Sequence, residues 1–222
     1  MKKLFIISAL LSCVSLTTKL NAQIYLQDIN GQPFMERNLA DLGGSPFFND
    51  EFLKGSIKMD DKSVYGDLFL RYDLESDQLV YRKINSTVSM APKGNVAEFK
   101  IDLPNGTAAT FKRLPASDGN DEGFYQVIAD GKTSLLKKTK KRIVERIEYN
   151  SSTKSKTLAS QTTYFLLTGD KLVPVKNDKK GLIKALGGNQ EGLQSFVDRE
   201  KINFKSDYDL GRFIAYYNST GV

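Results

Sequence analysis

The residues of this chain best able to do chemistry are cations. Lys132, Lys137, Lys138, Lys140, Lys141, Arg142 and Arg146 crowd into one short stretch against Glu145 alone. Such a run can hold the phosphate of a lipid, a glycan or an acidic protein surface, by an attraction that salt screens. It can equally be the solvated face of an edge strand, where lysine discourages a second chain from adding on. Lys137, Lys138, Lys140, Lys141 and Arg142 are therefore the candidate partner-binding residues. The run lacks the aromatic residues that stack on bases, so nucleic acid is not an expected partner.

A second candidate is acidic. Asp118, Asn120, Glu122 and Gly123 fall at the first, third, fifth and sixth positions of an EF-hand-like loop. The match then fails, because Ala129 stands where the bidentate glutamate of the twelfth position belongs and the flanks read as strands. The stretch reads as a solvated turn, and no metal site is expected. More decisive is what the chain lacks: it contains no histidine and one cysteine, Cys13. Ser-His-Asp and Cys-His sites, and histidine-ligated zinc or iron, need the imidazole as base or ligand. What remains is carboxylate, lysine, tyrosine or serine chemistry, which has no local signature here. Paired acids distant in sequence keep a carboxylate enzyme open as a reading. No cofactor is expected.

Residues 1–22 read as a secretory signal peptide. Lys2 and Lys3 precede the apolar run Leu4 to Val14, a polar stretch follows from Ser15, and Ala22 supplies the small residue before a cut ahead of Gln23. The apolar run is shorter than the roughly 18 residues of a membrane span, so no transmembrane segment is expected after removal of the leader. Cys13 weakly matches a lipoprotein processing site, with Leu11 where a small residue is usual; it is read as part of the apolar region. Without Lys2, Lys3 and Lys19 the net charge falls from +6 to +3, so no global polyanion-binding surface is implied. The mature chain then has no cysteine, and its core alone must stabilise it.

Positioning of the candidate residues falls to a series of short strands. Residues 23–55 are expected to be an extended segment packing on a single β-rich domain of residues 56–222. Within the segment Ile24-Tyr25-Leu26 reads as a strand, and Phe47, Phe48 and Phe52 are expected to pack against the domain. From Ser56, β-rich runs alternate with turn chemistry: 57–59 and 64–72 about Asp60-Asp61-Lys62, 78–84 after Glu75-Ser76-Asp77, 96–102 and 107–113 about Pro104-Asn105-Gly106, 124–129 and 133–138 about Asp130-Gly131. In residues 132–149 helical and strand periodicities compete, and strand is chosen. Residues 157–167 return as its partner, and Pro174 marks 171–176 as an edge or a strand end. After Asn177 the period becomes helical. Three short helices are expected over 177–222, near Lys179 to Leu186, near Gln190 to Lys201, and after Ser206, with Asn177 or Asp178, Asn189 and Ser206 as caps. The expected fold is α+β, mainly β: an antiparallel meander forming a curved sheet or open barrel, with these helices at its end.

Gly44-Ser45-Pro46 before an aromatic pair, the strand Asp67 to Tyr72 leading into Asp77-Gln78-Leu79-Val80-Tyr81, the basic run Leu135 to Arg146 and the terminal stretch Leu210 to Tyr217 resemble a group of secreted Bacteroidota proteins of unknown function. The resemblance implies a bacterial periplasmic or surface location and no activity. The expected function is a non-catalytic interaction protein of the periplasm or cell envelope, such as a subunit of an outer-membrane or secretion complex. Its expected partner is an envelope protein, reached through the basic strand or by strand addition. The alternatives are a carrier enclosing an apolar ligand in the curved sheet, and a carboxylate- or serine-dependent enzyme.

Overall fold

In the computed structural model the described residues are 29–35, 38–39, 42–116, 119–147 and 154–220. Ala22, Gln23, the expected strand Ile24-Tyr25-Leu26 and Asp118 lie outside them. Turn chemistry divides the described chain into β1 (Gly31–Pro33), β2 (Leu42–Gly43), β3 (Leu53–Met59), β4 (Val64–Asp73), β5 (Gln78–Lys83), β6 (Met90–Pro92), β7 (Val96–Asp102), β8 (Ala108–Leu114), β9 (Gly123–Ala129), β10 (Thr133–Ile147), β11 (Lys154–Thr168) and β12 (Lys171–Val175). Three helices follow: α1 (Lys179–Leu186), α2 (Gln190–Glu200) and α3 (Asp207–Ser219). Asp178, Asn189 and Ser206 cap them, each side chain accepting the backbone N–H three residues on.

The strands form one mostly antiparallel sheet in the order β1-β6-β5-β4-β3-β7-β8-β9-β10-β11-β12, with β2 added in parallel to β11. Two features of the expected fold are thereby corrected. The sheet is neither closed as a barrel nor strongly curled, and its path has two ends, β1 and β12, that do not pair with each other. Nor is it a simple meander, since β3 lies between β4 and β7. The physical reason is at the margins. β1 is three residues long and ends in Pro33, and β12 carries Pro174. Proline cannot donate to a further strand, so neither end is suited to closing the sheet.

Alternation sends successive side chains of a strand to opposite faces. On β4 it buries Leu68, Leu70 and Tyr72 in an aromatic core with Phe99, Phe111 and Phe124. Phe99 stacks on Phe111 with centroids 4.7 Å apart, and Phe48 meets Phe111 edge-on at 5.1 Å. Phe47 and Phe52 pack instead on the guanidinium of Arg71, at 4.0 and 4.3 Å. At the far end the same alternation splits β10: Leu135 packs under the helices with Tyr164, Leu166, Leu210, Phe213 and Ile214. Leu136 faces Tyr125, Phe165 and Leu172 on the other side. Each such buried side chain contributes about 1.5–3 kcal/mol, so the helices are a structural cover for the last strands. Asn218 completes the seal, its amide accepting from the Thr133 N–H (3.0 Å) and donating to the Thr133 carbonyl (2.9 Å).

Candidate functional site

The basic run lies on β10, which pairs with β11 along its whole length but with β9 only as far as Lys137. Alternation divides its five candidate cations between two faces, Lys137 and Lys141 on one, Lys138, Lys140 and Arg142 on the other. Four of them are anchored within the protein. Lys137 reaches Asp207 at the start of α3 (2.6 Å), and the Tyr164 hydroxyl donates to the other carboxylate oxygen (2.7 Å). Burial and this carboxylate push the Tyr164 phenol above its ordinary range. Lys141 donates to the carbonyls of Ser45 (2.7 Å) and Phe47 (2.8 Å), tying the N-terminal segment to the hairpin.

Lys138 is the least expected of the five, with only 8% of its surface exposed. Its ammonium donates to the carbonyls of Asp121 and Glu122, both at 3.0 Å, and lies 4.4 Å from the centre of the Tyr125 ring. Burial lowers its pKa, and the nearby Asp77 opposes that shift. Lys140 pairs with the Asp121 carboxylate, and this bond holds Asp121 below the usual carboxylate range. Arg142 is exposed at the rim.

Asp77 enters from the β4–β5 turn with a left-handed backbone (φ 54°). It accepts the Tyr72 hydroxyl and, at a longer 3.4 Å, the Phe124 N–H. Burial first, and Asp77 second, drive the Tyr72 phenol far above its ordinary pKa. Gly123 permits this approach: a Cβ there would sit 2.1 Å from Asp77 Oδ2 and 3.0 Å from Lys138 Nζ. Two depressions therefore flank the 119–123 loop. One, about 200 Å³, lies over Tyr125 and Phe165 between the loop and β10–β11. The other, about 250 Å³, lies between the loop and the 74–77 turn, and both share Lys138, Lys140 and Arg142.

A lysine with a lowered pKa beside a carboxylate is the usual ground for nucleophilic or base chemistry. Here the ammonium is fixed on two backbone carbonyls and covered by a ring, and Asp77 is engaged by Tyr72. The arrangement clamps a loop and sets a positive potential in the depressions. The acidic turn is likewise committed: Asn120 donates to the Leu172 carbonyl (3.2 Å) and Glu122 lies 3.6 Å from Arg113. Among the described residues no group of three or more acidic, histidine or cysteine side chains is placed to hold a metal ion. Nor is any helix among them long and apolar enough to cross a membrane.

Sequence reading missed Tyr72, Asp77, Tyr125, Gln161 and Thr163, which the fold gathers round the basic strand. Only Gly123, a glycine directly after an acidic turn, hinted that something approaches there. No protein-family model matches the chain, and no curated protein or solved structure matches it either.

Proposed function

We propose that the chain is exported and works without catalysis, as a protein-interaction module of the bacterial cell envelope that docks through the outer half of the β10–β11 hairpin. The leader-like residues 1–22 support export, and the commitment of Lys138 and Asp77 to internal bonds favours binding over catalysis. One observation carries the docking reading. From Lys138 to Ile147, β10 has no strand beside it among the described residues except β11. Its backbone points outward there, since the Lys141 N–H donates to the Leu74 carbonyl at the turn after β4. By alternation the N–H and C=O of Ile143 face the same way. An extended segment of a partner can add to such an edge, with main-chain hydrogen bonds giving affinity and the exposed Ile143 side chain giving selectivity.

Ile143→Pro tests the proposal. It removes one outward N–H while leaving the β11-facing hydrogen bonds intact, because Ile143 has the parity of Lys141. A stoichiometric envelope partner recovered with the wild type should be lost with this variant at unchanged thermal stability. Equal recovery with both proteins would refute docking at this edge.

A further inference from the structure

We infer that the 200 Å³ depression beside Lys138, Lys140 and Arg142 is a binding site for an anionic sugar, a single ring carrying a carboxylate or phosphate. The register builds it. Lys138 lies opposite Thr163, Lys140 opposite Gln161 and Arg142 opposite Ala159, so three cations run along one face of β10 with a hydroxyl and an amide beside the first two. The 119–123 loop forms the facing wall, and the Tyr125 ring, edge-on to Phe165 at 5.3 Å, lies beneath.

Charge decides the ligand's sign. Among the lining residues Asp121 is the only carboxylate against those three cations; Asp77 lies behind Lys138 in the adjoining depression. Lys138 is fixed at the base, whereas Lys140 and Arg142 stand at the mouth. The Lys140–Asp121 pair is solvated, with side chains 36% and 72% exposed, so an incoming oxyanion exchanges with Asp121 at small cost. Arg142 then offers a planar fork that matches a carboxylate or phosphate in bidentate fashion.

Size and lining decide the body of the ligand. The volume is below the roughly 300–1,000 Å³ of sites for drug-sized molecules, yet larger than a bare oxyanion needs. Gln161 and Thr163 both donate and accept, the pattern that ring hydroxyls require. The site is distinct from the docking edge, because its three cations lie on the opposite face of β10 from Ile143.

Titration calorimetry of the full chain with glucose 6-phosphate, glucuronate, glucose and inorganic phosphate tests the inference at low salt. Binding is expected for at least one of the two anionic sugars at millimolar concentration or tighter, and the better of them identifies the anion. Glucose and inorganic phosphate should bind about tenfold more weakly than that sugar. Arg142→Ala and Lys140→Ala should each weaken binding about tenfold, and Asp121→Asn should strengthen it by releasing Lys140. Arg142→Lys should recover only part of the loss, which separates the fork from the charge. Neither anionic sugar binding at about 10 mM would overturn the site. Inorganic phosphate binding as tightly as the sugar would overturn the sugar assignment. Near-ultraviolet circular dichroism of each variant verifies that the fold is retained.

Discussion

Replacing Lys138 by methionine removes the ammonium while keeping an unbranched side chain of similar reach. The ammonium makes two hydrogen bonds of 3.0 Å to the carbonyls of Asp121 and Glu122 and one ring contact at 4.4 Å. Hydrogen bonds from a charged donor contribute about 1.5–3 kcal/mol each, and a cation–ring contact about 0.5–2 kcal/mol. Opposing them is the burial of the charge, which costs several kcal/mol and appears as the lowered pKa. The net expectation is a loss of about 1–2 kcal/mol, read as a lower urea midpoint at unchanged slope. Cleavage by protease should rise at the 119–123 loop, whose backbone the ammonium pins. The pH dependence has a definite sign. With its pKa lowered from 10.5, Lys138 loses its proton in the folded state before the unfolded state does. Between the two values the unfolded state binds more protons, so wild-type stability rises with pH there. The gap between wild type and Lys138→Met should therefore widen as the pH approaches 10.5. A methionine variant as stable as wild type at neutral pH, with an unchanged loop cleavage rate, would refute the clamp.

Three other consequences are open to measurement. Tyr72 is kept protonated by burial and by Asp77 far above its ordinary pKa of 10.0, so wild-type stability should fall as the pH rises through that value, where only the unfolded state ionises. Tyr72→Phe should flatten that fall between about pH 9 and about pH 11, and parallel melting curves would contradict it. Asn218→Ala removes both bonds that join α3 to Thr133 and should cost about 2 kcal/mol in urea unfolding; a loss below about 0.5 kcal/mol would show that the helix is held by its apolar face alone. Mass analysis of protein from its native host should find Gln23 at the N-terminus, whereas an acylated Cys13 would show processing as a lipoprotein.

Local chemistry makes much of this fold legible in the amino-acid sequence. The helix starts are legible because Asp178, Asn189 and Ser206 satisfy backbone N–H groups only three residues away. The β7–β8 hairpin is legible because Asn105 and Gly106 set its turn, with Gly106 at φ 81°. Asp130 and Gly131 both tolerate the positive φ of a two-residue mirror-image turn, which that sequence suggests, but only Gly131 has one, so the turn is of another type. Pairing order is not legible. Nothing near Leu53 to Met59 announces that β7 will lie on its second side, since that contact is settled by packing across some forty residues. The three-residue strands β1 and β6 carry too little pattern to be read at all. At the candidate site, spacing separates Lys138, Lys140 and Arg142 from Lys137 and Lys141, but it cannot say which lysine is buried. That depends on the loop before β9 and the turn after β4 reaching the same strand.

On the function proposed, the open edge of β10 selects a partner more than the basic charge of the run does. Quantitative co-purification from native envelopes with three proteins separates edge from charge: wild type, Ile143→Pro, and Lys140→Glu with Arg142→Glu. The proline variant should lose the stoichiometric partner, while the charge-reversed variant, folded equally well, should keep most of it at moderate salt. Retention by the proline variant together with loss by the charge-reversed one would refute docking at the edge and return partner selection to the cations.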